Sequence, residues 1–336
     1  MLTSHVPPTA SMNIVFLGSG AFGLPTLQAL AKHHTVLAVV SQPDKPAGRG
    51  MKLTPTPIAQ WAAESLRDVP LYKPADVNEP STRDAVRALG ADAWVVIAFG
   101  QKLSPALLEG VFAINLHASL LPRWRGAAPI NAAILAGDAT TGNSVITLAD
   151  RMDAGLILGT TTRPIEPTQT AGELHDALSA DGPDLVLNVL RDRHTGTLKP
   201  VTQDESLVTK ARKLSKSDGA LDFAQRASRL RCKVHGLTPW PGVTTTLHFG
   251  LALNPPPPIP LKLLRVAEAD QELAGGGSRR PPAPGDIVDN DAGVVACGEG
   301  TTLRLLEVQP AGSKPMSWES FRRGAGRTLS PGASLK

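Results

Sequence analysis

The sequence predicts an α/β protein in two parts, a Rossmann-like, mostly parallel sheet followed by a small β-barrel. Three observations predict it. Before residue 200, buried-strand patterns alternate with helical ones, the βαβ order that builds a parallel sheet covered on both faces. A polar stretch, Pro200–Lys216, then interrupts the apolar patterning. Beyond it the apolar runs are short and lie between turn-rich pieces, as in a small barrel. At 336 residues each part is long enough for its own core.

Taken in order, Met1–Ser11 is polar with two prolines and no apolar run, so it reads as a disordered extension and not as a secretory signal. Asn13–Leu17 is a buried strand, Gly18–Gly23 a turn, Leu24–Lys32 a helix and Thr35–Val40 a second apolar strand. Trp94–Ala98 and Val111–Leu116 are further strands, and Thr141–Gly155 is a strand that runs into a turn. Glu173–Asn188 has helical spacing, with an interruption expected at Gly182-Pro183. The barrel strands are expected among Asp218–Phe223, Thr244–His248, Ile259–Val266, Gly293–Ala296 and Thr302–Glu307, with Pro255–Pro258 and Gly275–Pro284 as loops. The expected division is an extension at 1–11, a catalytic domain at 12–200, a linker at 201–217 and a barrel at 218–330.

Composition narrows the class. The two cysteines, Cys232 and Cys297, have no Cys or His at metal-ligand spacing, which argues against a disulfide framework or a zinc site and fits a reducing cytoplasm. No apolar run approaches the ~20 residues of a membrane span. The charge is uneven: residues 206–336 carry 18 Lys/Arg against 11 Asp/Glu, within a chain of net charge +4. A basic second half suits a polyanionic partner, although it also suits a merely solvated face.

Asn115 and His117 are the candidates for chemistry, although a lone His is more often structural or solvent-facing and many chains offer such residues. They lie two apart at the end of an apolar run, so on a strand both side chains point the same way and can address one reacting atom. An amide and an imidazole fixed in that way can stabilise an oxyanion. Asp153, beside an Ala-Gly pair that permits close approach, completes a possible acid/base trio. Gly18-x-Gly20-x-x-Gly23 follows a strand and opens a helix, as a dinucleotide fingerprint does. Against that reading, Asp44 sits in the loop beyond the second strand and not at its end.

Asn115–Ile130 resembles the signature of the 10-formyltetrahydrofolate-dependent formyltransferases, and Met152-Asp153-Ala154-Gly155 is similar to their second motif. Gln42–Leu53 resembles a loop of the members that act on methionyl-tRNA. Lys213-Leu214-Ser215-Lys216 and Pro239-Trp240-Pro241-Gly242 match the linker and the start of the C-terminal domain in those members. The resemblance runs from Met12 to Arg327. It implies an OB-like barrel and transfer of a formyl group from 10-formyltetrahydrofolate, as co-substrate, to the α-amino group of methionine on initiator methionyl-tRNA. No metal, no NAD and no membrane are expected to take part, and a cytoplasmic monomer is expected.

In that scheme Asn115 and protonated His117 face the formyl oxygen, Asp153 holds the imidazole and relays a proton, and Ser119, Leu120, Leu121 and Pro122 line the folate pocket. Ala98–Gln101 supplies another wall. Arg49 and Lys52 contact tRNA from the loop, with Lys210, Arg212, Lys213, Lys216, Arg229, Arg231 and Lys233 as backbone contacts elsewhere. Arg123 and Arg125 either position substrate or pair structurally. Because the trio also serves formyltransferases with small amine acceptors, the acceptor rests on the loop and the basic second domain. A nicotinamide oxidoreductase and a non-catalytic RNA-binding protein are the readings from other classes.

Overall fold

The computed structural model describes residues 11–48, 50–251, 253–269 and 282–336. Arg49, the segment before Ser11 and most of Gly275–Pro284 therefore lie outside the described residues. The chain forms two compact units. One contains the residues up to Gly126, Gly142–Arg163 and His175–Lys210; the other contains Ala127–Thr141, Pro164–Leu174 and Ala211–Lys336.

The first unit begins with β1 (Asn13–Gly18), α1 (Leu24–His33) and β2 (Thr35–Val40). Ile14–Leu17 are wholly buried, as expected of a strand covered on both faces. The fingerprint glycines serve packing. A Cβ on Gly18 would lie 2.9 Å from the Ile97 carbonyl, and one on Gly23 would crowd the Ile97 side chain at 3.1 Å. Asp44, beyond β2, is paired with Lys73 at 2.8 Å. The expected Gln42–Leu53 loop is instead a two-stranded hairpin of β3 (Lys45–Ala47) and β4 (Lys52–Thr54). Its tip turns through Gly48 and Gly50, both at positive φ, and exposes Met51, Lys52 and Leu53.

Next come α2 (Pro57–Ser65), β5 (Leu71–Tyr72), α3 (Pro80–Arg87), β6 (Ala93–Ile97), α4 (Pro105–Leu108) and β7 (Ala113–His117). They are followed by β8 (Arg125–Gly126), α5 (Pro129–Ala136), β9 (Thr140–Thr147), β10 (Ile157–Pro164) and α6 (Ala171–His194). The sheet runs β10-β9-β7-β6-β1-β2-β5. Its β2, β1, β6 and β7 pair in parallel, and β9 joins β7 antiparallel. The interruption expected at Gly182-Pro183 does not occur, and α6 continues through Pro183. Gly182 explains this: a Cβ there would meet Leu116 at 2.7 Å, so the glycine lets the helix lie close on β7. That packing outweighs the roughly 3 kcal/mol an internal proline costs a helix.

The second unit holds the barrel. After β11 (Lys210–Ala211), α7 (Ala227–Gly236) precedes β12 (Val243–His248), β13 (Ile259–Ala269), β14 (Ile287–Asp289), β15 (Val294–Ala296), β16 (Thr302–Pro310), β17 (Met316–Ser317), α8 (Trp318–Arg323) and β18 (Ser334–Leu335). The strands are ordered β14-β15-β16-β13-β12-β18, and bonds from Ile287 N–H to the Ala333 carbonyl and from Leu335 N–H to Gly285 nearly close the ring. Asp218–Phe223, expected as a strand, is a 3₁₀ turn and coil, because Asp218 caps that turn through the backbone N–H of Ser215. Leu230 and Val234 of α7, with Leu237 just past its end, form one buried stripe within the barrel core.

His235 on α7 is wholly buried and accepts a hydrogen bond at Nε2 from the Val266 N–H at 3.1 Å. Burial, followed by the Arg231 and Arg265 charges, pushes its pKa down to about 4; a Pro167 carbonyl and Glu173 oppose this more weakly. The folded state thus binds the proton less well than the unfolded chain. Stability should be full above about pH 6.5 and fall as the pH drops towards 4, by on the order of 3 kcal/mol. Urea unfolding at pH 7 and pH 4 should show this loss, and His235→Gln should remove most of it.

Candidate active site

Strand β7 places Asn115 and His117 on the same side, between Val96 of β6 and Ile146 and Ser144 of β9. The Asn115 side chain is half-buried and makes no hydrogen bond among the described residues, which leaves both amide N–H groups for a ligand. His117 is 6% exposed. Its Nε2 lies 2.9 Å from the Trp124 carbonyl, which can only accept, so Nε2 carries the hydrogen. Nδ1 is left for proton exchange, and it faces Asp153 Oδ2 at 3.7 Å. The other hold on that carboxylate oxygen is the Gly126 N–H at 2.8 Å.

The two residues facing the imidazole share an unusual backbone. Trp124 (φ 63) and Asp153 (φ 54) are both left-handed. Such non-glycine conformations cost about 1–2 kcal/mol each and persist only where neighbours impose them. Around Asp153 the neighbours are visible. Gly155 lies so close to the Thr147 carbonyl that a Cβ would overlap it. Thr147 also accepts at Oγ1 from the Leu156 N–H at 2.9 Å, pinching the loop shut. Gly155→Ala should therefore open this loop, lowering Tm by several degrees and kcat at least tenfold, which a thermal melt and a turnover assay would check.

The predicted folate segment is a tight turn. The Ser119 hydroxyl is buried and donates to the Arg123 carbonyl at 2.7 Å, while its own carbonyl accepts from Ser144 Oγ at 2.7 Å. Ser144 Oγ in turn accepts from the Leu121 N–H. Ser119 and Leu121 thus hold the turn, and half-buried Leu120 and Pro122 are the side chains left for contact. In Ala98–Gln101, the Phe99 carbonyl accepts from Ser19 Oγ and Gln42 Nε2, and Gln101 is tied to Val77 and Pro74. These bonds stiffen the segment.

Sequence reasoning missed Gln203 and left Arg125 open. Arg125 is buried and donates from both Nε and an Nη to Gln203 Oε1, and to Glu205 Oε1 at 2.9 Å. Of the basic residues predicted to meet RNA, Lys52, Lys210, Arg212, Lys213, Lys216 and Arg229 are exposed. Arg229, Arg231 and Lys233 stand on α7. Arg212 is already paired with Asp218, and Arg231 with Glu268. Among the described residues no cluster of His, Cys, Asp and Glu could hold a metal, and no helix is long and apolar enough to cross a membrane.

A donor amide on β7 and a His–Asp pair beside it are groups that acyl transfer can use. Residues 12–190 match the formyl transferase family, and residues 213–326 match the formyl transferase C-terminal domain. The chain belongs to the formyl transferase family. It is 41% identical to a methionyl-tRNA formyltransferase of Methylobacterium sp. (strain 4-46) over 97% of this chain and 99% of that one. It is 43% identical to the methionyl-tRNA formyltransferase of Magnetococcus marinus over 93% and 95% of the two chains. Among solved structures, HypX from Aquifex aeolicus in complex with tetrahydrofolic acid superposes with a TM-score of 0.58 at 17% identity. The match covers 96% of this chain but only 48% of that one, and it shows the fold alone.

Proposed function

We propose that this chain transfers the formyl group of 10-formyltetrahydrofolate to the α-amino group of methionine on initiator methionyl-tRNA, for translation initiation. The observation that carries the chemistry is the unsatisfied Asn115 amide beside a His117 whose only uncommitted nitrogen faces Asp153. The acceptor is supported by relatives named methionyl-tRNA formyltransferase and by the exposed cationic hairpin carrying Lys52. Arg49 lies between Gly48 and Gly50 in the sequence.

The amine attacks the formyl carbon, a C–N bond forms, and negative charge gathers on the formyl oxygen. Asn115 donates to that oxygen. The ammonium proton of the intermediate passes to the Asp153–His117 pair. As the bond from carbon to N10 breaks, N10 takes a proton from the same pair, and tetrahydrofolate leaves. With Nε2 tied to Trp124, His117 acts through Nδ1 in this scheme; its second role, direct donation to the oxygen, calls for the doubly protonated ring and falls to the same Nδ1. Leu120 and Pro122 form the folate wall, set by the Ser119 and Leu121 turn. Such a reaction, on a substrate of translation, belongs in the cytoplasm.

The experiment is to supply purified protein with 10-formyltetrahydrofolate and either initiator or elongator methionyl-tRNA, and to measure formylmethionine. Formylation of the initiator alone is expected. Formylation of neither, with small amines accepted, would overturn the assigned acceptor.

A further inference from the structure

We propose that Gln203, oriented by Arg125, is a positioning residue that sets the Asp153 carboxylate against His117. The inference rests on the reading of Asp153 given above. Gln203 is 6% exposed and uses both ends of its side-chain amide. Its Nε2 donates to the Asp153 carbonyl and to the Gly155 carbonyl, each at 2.8 Å. Its Oε1 accepts from Arg125 Nε at 3.0 Å and from Nη2 at 2.8 Å. The amide cannot be turned round, because a guanidinium only donates and carbonyls only accept. Gln203 thus clamps the chain on both sides of Ala154, where Asp153 holds its left-handed φ of 54°.

Arg125 also precedes Gly126, whose N–H holds Asp153 Oδ2 at 2.8 Å. One pair of neighbours therefore fixes the main chain of Asp153 and its carboxylate together. Glu205 completes the guanidinium's partners and bridges it to Arg151. No hydrogen bond joins Gln203 to Asn115 or to the Ser119–Pro122 turn, so its loss should leave substrate binding in place.

The test is Gln203→Leu, alone and combined with Asp153→Asn, in steady-state formylation of initiator methionyl-tRNA. Gln203→Leu should lower kcat about 10–100-fold, the scale of a displacement near 1 Å, with KM for both substrates within about threefold. The double variant should be no slower than Asp153→Asn alone, because a positioning group has nothing left to position. Losses that multiply in the double variant, or a raised KM with kcat intact, would overturn the proposal. Should Gln203→Leu fail to fold, Arg125→Lys replaces it, with a smaller fall in kcat and the same lack of further loss expected. A slow Asp153→Asn beside a fully active Gln203→Leu removes the positioning role only. A fully active Asp153→Asn removes the reading of Asp153 as well.

Discussion

Asn115→Ala is expected to lower kcat about 10²–10³-fold, the usual cost of removing one preorganised oxyanion donor. The amide sits at the middle of β7, held by parallel pairing to Val96 and antiparallel pairing to Ile146, so its position is set by the sheet. Both of its N–H groups lack partners among the described residues. A donor that spends nothing inside the protein is worth most when charge appears on the substrate, because no bond must break first. The interaction strengthens as the formyl oxygen becomes anionic, so KM for folate and for tRNA should move by no more than about threefold. Steady-state kinetics checks this. A raised KM with kcat unchanged would make Asn115 a binding group and leave His117 as the oxyanion's remaining donor on β7.

Parts of this site are legible from the residues and others are not. The Asn-x-His spacing at the end of an apolar run is enough to place both side chains on one side of a strand, and β7 does so. Asp153 is different. Its approach to His117 depends on a loop pinched at Thr147 and clamped by Gln203, and neither contact leaves a periodic trace in the sequence. Gln203 lies in the polar stretch after Pro200, where a buried amide looks like any solvated one.

The same limits appear in the fold. Arg229, Arg231 and Lys233 alternate with period two and mask the helical stripe of Leu230 and Val234, so α7 goes unread between the expected barrel strands. Pro183 looks like a break because the compensating contact of Gly182 with Leu116 is tertiary. Where a signal is local, as in β1, β2, β6 and β7, residue type suffices. Where a distant partner decides, only the folded chain shows it.

Asp153→Asn should have an effect of similar or greater size, lowering kcat about 10²–10⁴-fold, the range for general acid–base groups. The substitution separates charge from position. Asparagine tolerates the left-handed backbone as aspartate does, and its side-chain oxygen can still accept from the Gly126 N–H. The backbone carbonyl held by Gln203 is untouched. What changes is the charge: the oxygen that faces His117 Nδ1 across 3.7 Å is the one held by the Gly126 N–H, and as an amide oxygen it is neutral. A neutral amide takes up no proton, so the pair loses the member that shares in collecting the amine's proton and returning one to N10, while the fold and both binding surfaces stay as they were. Tm should therefore shift by only a degree or two and KM should change little. A pre-steady-state measurement would place the whole loss in the chemical step. If tRNA or folate affinity fell instead, with the chemical step intact, Asp153 would be part of a binding surface and the proton would need another carrier.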